Sequence, residues 1–192
     1  MTRFWWVRHG PTHEKAMTGW RDVPADLSDT AALARLNAHL PRDAAVLSSD
    51  LIRATATADA LTPRRRRLPH APALREIDFG DWDGKLWSDI AETHPDLSRL
   101  YWEHPGDHAP PNGESWNAAA ARATAATDRL LADHRDRDLI LVAHFGIILT
   151  QLARALQTTP HKALSQRIDP LSVTCLRHDG TRWLADSINH CP

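Results

Sequence analysis

Apolar positions along the chain come in short blocks separated by polar, proline-rich connections, and the period of each block predicts its element. Phe4–Trp5–Trp6–Val7 is an unbroken bulky run, the pattern of a buried strand over residues 3–8, and it stops at Arg8–His9–Gly10. Residues 11–28 are rich in Pro, Gly, Thr and Asp and read as a loop. Leu33, Leu36 and Leu40 fall at helical spacing and predict a helix over Ala31–Leu40, capped by Ser28 or Asp29 and broken by Pro41–Arg42–Asp43. Ala44–Ser48 predicts a second strand. Ser49 or Asp50 then caps a helix from Leu51 to Leu61. A short helix is predicted over Ser88–Thr93, ending before Pro95, and a long Ala-rich one from Ser115 to about His134. Leu139–Ile140–Leu141–Val142 marks a strand over Asp138–Ala143, followed by a helix over Ile147–Leu156. Leu171–Leu176 and Trp183–Ala185 predict a closing strand pair around Asp179–Gly180. Strands alternating with helices predict an α/β fold on a mainly parallel sheet.

Bulk numbers narrow the picture. The 192 residues suit one domain over 1–192, with a small cap around 81–114. Residues 95–114, rich in Pro, His and Gly, read as a lid over a site or as a plain surface connection. A net charge of -1 gives no bias towards nucleic acid or membrane, and no apolar run is long enough to span a bilayer. Arg64–Arg67 reads as a solvated surface or edge strand, not a nucleic-acid site. The chain enters a strand at once, without a signal-peptide pattern. Cys175 and Cys191 make neither a disulfide scaffold nor a zinc site, so a cytoplasmic location is expected.

The candidate chemistry lies at strand ends. Val7 leads into Arg8–His9–Gly10, and Val142–Ala143 leads into His144–Phe145–Gly146. Parallel strands would put both histidines on one sheet edge, where α/β proteins bind ligands. Arg53 falls in the first turn of a helix, a position that attracts anions. Glu76 supplies a carboxyl. Two guanidinium groups, two imidazoles and one carboxyl suit phosphoryl transfer: cations for the phosphate charge, an imidazole nucleophile and an acid for the leaving oxygen. The acidic residues show no metal-ligand spacing.

These motifs resemble those of the histidine phosphatase superfamily, the phosphoglycerate mutase-like proteins. Arg8–His9–Gly10–Pro11–Thr12 is similar to its signature. Thr18–Gly19–Trp20, Ser48–Ala54, Leu74–Gly80, Gly113–Glu114–Ser115 and Val142–Gly146 match further motifs in order. The resemblance implies a three-layer α/β/α sandwich. It implies His9 as the phosphate-accepting nucleophile, Arg8, Arg53 and His144 around the phosphate, and Glu76 as proton donor. Thr18 and Gly19 would border the substrate pocket, and no cofactor or metal is implied. Phe145 stands where the family often has Gly, so its ring would shape the pocket. The implied activity is hydrolysis of a small phosphorylated metabolite, as in the α-ribazole and broad-specificity phosphatase branches. The alternatives are a phosphoglycerate mutase-type transfer and a non-catalytic binding protein. A mutase needs extra cations after the Glu motif, and residues 85–114 hold only Lys85 and Arg99. The partner is a small phosphorylated substrate, with a homodimer left open.

Overall fold

The computed structural model describes all 192 residues. The bulky opening run forms β1 (Thr2–Arg8), the middle strand of a five-stranded sheet. The others are β2 (Ala45–Ser48), β3 (Asp138–Ala143), β4 (Val173–His178) and β5 (Trp183–His190), in the order β2-β3-β1-β4-β5. The expectation of a mainly parallel sheet needs correction. Two of the four pairings are parallel, β2 with β3 and β3 with β1, and two are antiparallel, β1 with β4 and β4 with β5. The reason lies in where the chain re-enters the sheet. Leu171 N–H donates to the Arg8 carbonyl and Arg8 N–H to the Ser172 carbonyl. The strand that follows therefore begins where β1 ends and runs the other way, and the Asp179–Gly180 turn returns β5 beside it.

Alternation along β1 divides its side chains between two helical layers. Phe4 and Trp6 join Leu139, Leu141 and Leu176 beneath α5 (Trp116–Asp133), α6 (Phe145–Leu156) and α7 (Pro160–Leu164). Val7 joins Val46, Ile140 and Val142 beneath α1 (Thr30–His39) and α2 (Ile52–Ala60), with Trp5 packed on that side. Each fully buried side chain such as Leu36 contributes about 1.5–3 kcal/mol through burial.

Within the stretch 95–114, which reads as a lid or a surface connection, residues 95–103 form a helix. Proline fits the first turn of a helix, so Pro95 starts α4 (Pro95–Glu103) directly after α3 (Trp87–Thr93). Trp82, Ile90 and Tyr101 form a separate small core under this pair. The arginine run is likewise more than a solvated face. Arg64 and Arg66 are exposed, but Arg65 donates to the carbonyls of Asn37, Leu40, Pro41 and Leu61, and Arg67 to Ser48 Oγ. No helix is long and apolar enough to cross a membrane.

Candidate active site

Because Arg8 pairs with Ala143, the next residues, His9 and His144, leave the sheet side by side, with ring centroids 5.1 Å apart. Both are buried. His9 Nδ1 lies 2.7 Å from the Gly10 carbonyl oxygen. A carbonyl only accepts, so Nδ1 carries the proton and the Nε2 lone pair stays free. Burial pushes the His9 pKa down to about 3, against the pull of that bond and helped by the Arg53 and Arg8 charges. The ring is therefore neutral near pH 7. Gly10 is fixed by Thr57, whose Oγ1 accepts its N–H at 3.0 Å. A Cβ at Gly10 would lie 2.6 Å from Leu27 Cδ2.

The helix carrying Arg53 begins without a side-chain cap. The two polar residues expected to cap it are bound elsewhere. Ser49 Oγ lies 2.6 Å from His144 Nε2, and Asp50 forms a two-pronged pair with Arg75 at 2.7 and 2.6 Å. Arg53 is buried, with three of its five N–H groups engaged: Nε donates to His144 Nδ1 at 3.2 Å, Nη1 to the Arg21 carbonyl at 2.9 Å and Nη2 to the Gly19 carbonyl at 2.5 Å. Since Arg53 can only donate, His144 accepts at Nδ1 and donates from Nε2 to Ser49. Burial, with His9, Arg53 and Arg8 nearby, holds the His144 pKa well below its usual value.

Arg8 reaches in from the end of β1. Its Nη1 donates to the Ile168 carbonyl at 2.7 Å, its guanidinium sits 5.4 Å from the Phe145 ring centroid, and its Nε is buried without a partner. Glu76 lies across the start of α6. Oε1 accepts from Ile77 N at 2.9 Å and Ile147 N at 3.3 Å, while Oε2 accepts from Gly146 N at 3.0 Å. Burial raises the Glu76 pKa above its usual value, and these N–H groups and the two arginines only partly offset it. The Glu76 carbonyl accepts from Trp20 Nε1 at 2.7 Å and from Arg122 Nη2 at 3.1 Å. Arg122 also donates to the carbonyls of Ala73 and Arg75 and pairs with Glu114.

Five of the expected residues, Arg8, His9, Arg53, Glu76 and His144, thus gather at one sheet edge. Gly19 holds Arg53, and Phe145 lies beside Arg8. Thr18 is turned to its own loop, donating to the Ala16 carbonyl at 3.1 Å. No group of three or more His, Cys, Asp or Glu side chains is arranged to hold a metal ion.

The model of the histidine phosphatase superfamily (branch 1) matches residues 4–190. The chain belongs to the histidine phosphatase superfamily. Among its relatives, the adenosylcobalamin/alpha-ribazole phosphatase of Salmonella typhimurium is 33% identical over 171 residues, 84% of this chain and 83% of that one. The glucosyl-3-phosphoglycerate phosphatase of Mycobacterium tuberculosis is 33% identical over 165 residues, 79% of this chain and 74% of that one. The solved structure of Bacillus stearothermophilus YhfR superposes with a TM-score of 0.89 at 26% identity, covering 100% of this chain and 98% of that one.

This superfamily member uses residues that the pattern of the chain did not single out. Thr57 follows Arg53 by one helical turn, and that i, i+4 spacing was its signal. Ser49 lay within a recognised motif but read as a helix cap. Trp20 lay within the motif Thr18–Gly19–Trp20, without a sign that it would hold the Glu76 carbonyl. Arg122 carries no local signal, because its partners are carbonyls distant in sequence.

Proposed function

We propose that this protein hydrolyses phosphate monoesters through a phosphohistidine on His9. The observation that carries the reading is the His9 ring: Nδ1 is bound to the Gly10 carbonyl, Nε2 is free, and burial keeps the ring neutral. Uncatalysed hydrolysis of such esters is among the slowest reactions known, so a fixed nucleophile and a cationic surround are both needed. Nε2 attacks phosphorus, an N–P bond forms, and the ester P–O bond breaks. Arg8 and Arg53 offset charge on the non-bridging oxygens. The electron pair leaves on the alcohol oxygen, which takes the Glu76 proton. Oε1 of Glu76 accepts two N–H groups and Oε2 one, so Oε2 has the open position for that proton. Glu76, now ionised, takes a proton from water as the water attacks phosphorus. The N–P bond breaks and phosphate leaves.

His144 has both ring nitrogens engaged, so in this reading it holds Arg53 in place and does not itself grip the phosphate. Residues 81–114 cover the site as a cap. Return transfer, as in a mutase, would require cations in that segment for a second acidic group. Lys85 and Arg99 are both exposed, and Arg99 lies 3.3 Å from Asp96, which supports hydrolysis. A screen of phosphorylated metabolites for released phosphate, with 3-phosphoglycerate isomerisation run alongside, tests this. Release should depend on His9. Isomerisation that outpaces release, or activity surviving in His9→Ala, would overturn the reading.

A further inference from the structure

Glu76 and Gly146 also border a narrow apolar slot of about 40 Å³. Its walls include Phe79, Tyr101, Trp102, Trp116, Phe145 and Leu164, and no Lys, Arg or His lines it. Helix α4 contributes Tyr101 and Trp102. Phe145 serves two spaces, since the ring that lines the slot also stacks on Arg8. The slot holds few polar groups. The Trp102 indole N–H is buried without a partner, and Tyr101 is only 5% exposed. Burial beside Glu76 and Glu114 pushes the Tyr101 phenol pKa up, so it stays a neutral donor.

The phosphatase reading fixes what must lie next to Glu76. An alcohol oxygen that takes its proton places the attached carbon in space that Glu76 borders. We propose that the slot receives the first carbons of this part of the substrate, and that the substrate is the phosphate monoester of an apolar alcohol. This inference rests on the reading of His9 and Glu76 given above. A carboxylate or a polyhydroxyl group in the slot would lose water and gain no cation and few partners, a strongly unfavourable exchange. An apolar group loses nothing there and is favoured in proportion to the area it buries.

The test compares kcat/KM for benzyl phosphate, glycerol phosphate and 3-phosphoglycerate. All three release an alkyl alcohol, so intrinsic leaving ability differs little. Benzyl phosphate should be favoured by about 30-fold or more. In Trp102→Arg the ratio of 3-phosphoglycerate to benzyl phosphate should rise at least about tenfold, because a cation enters the slot. A ratio taken on one protein sample is insensitive to how much of it folds, and Leu164→Arg provides a second variant should the first not fold. Binding of benzylphosphonate, followed by Trp fluorescence, needs no turnover. Preference for 3-phosphoglycerate or glycerol phosphate, or a ratio unmoved by both variants, overturns the slot assignment and leaves the phosphatase reading standing. Benzylphosphonate binding without hydrolysis of any ester overturns the phosphatase reading and, with it, the substrate assignment.

Discussion

The backbone N–H of Gly146 donates to Oε2 of Glu76 at 3.0 Å, and a Cβ on Gly146 would lie 2.6 Å from Oε1 of the same carboxyl. The first turn of α6 therefore sets the position of Glu76 and leaves no space for any side chain at 146. The nearest alternative neighbour, Ile77 Cδ1, would be only 2.9 Å away, so the crowding cannot be relieved on that side.

Gly146→Ala should displace the Glu76 carboxyl while the sheet stays intact. We expect kcat for alkyl phosphates to fall at least about tenfold, with overpacking costing about 1–3 kcal/mol of stability. Steady-state kinetics beside urea melts separate the two effects. Wild-type kcat in a folded variant would mean that the carboxyl position does not matter.

Glu76→Gln removes the acid and keeps the shape. The loss should be large, about 100-fold or more, for alkyl esters and small for aryl esters whose oxygen leaves without a proton. Because burial raises the Glu76 pKa, the wild type should lose kcat/KM on the alkaline side as Glu76 ionises. That limb should vanish in Glu76→Gln. Equal losses on both ester types would remove Glu76 from the acid role.

Stability should fall in acid because of the buried histidines. His9 and His144 both titrate below the ordinary histidine value when folded, so the unfolded chain takes up protons first as pH falls through about 6.5. Each contributes a loss of up to about 1.4 kcal/mol per pH unit, continuing for His9 towards its folded value of about 3. Unfolding free energies from urea melts at pH 7 and pH 5 should differ less in His9→Gln than in the wild type, by about 2 kcal/mol at most. An unchanged difference would contradict a neutral, buried His9.

Much of this arrangement is legible along the chain, for reasons that can be stated. β1 and β3 are short apolar runs ending in a histidine with a glycine close behind, and their parallel pairing follows from the helices between them. Arg53 and Glu76 sit at the ends of separate elements, where side chains reach a sheet edge. What could not be read off has physical causes too. The reversal of β4 depends on Leu171 and Ser172 bonding to Arg8, a contact made across the whole chain. Helix α4 was hidden by Pro95, which ends some helices and starts others. The hold on the Glu76 backbone comes from Arg122, a residue whose helix gives no hint that its partners are carbonyls.

Arg122 offers a check on that last point. Arg122→Gln should lower kcat more than it raises KM, since it frees the strap carrying Glu76 without touching the phosphate site. Arg122→Lys, a compact charge in place of a fork, should restore little. Full rescue by lysine would mean that charge, not the set of carbonyl bonds, is what matters.

The central claim is that His9 carries the phosphoryl group, and rapid quenching of a turnover with ³²P-labelled ester tests it most directly. The prediction is protein-bound label that is acid-labile, base-stable, formed fast enough to precede phosphate release, mapped to His9 and missing in His9→Gln. Phosphate release at full rate with no label on the protein, or label that persists in His9→Gln, would contradict it.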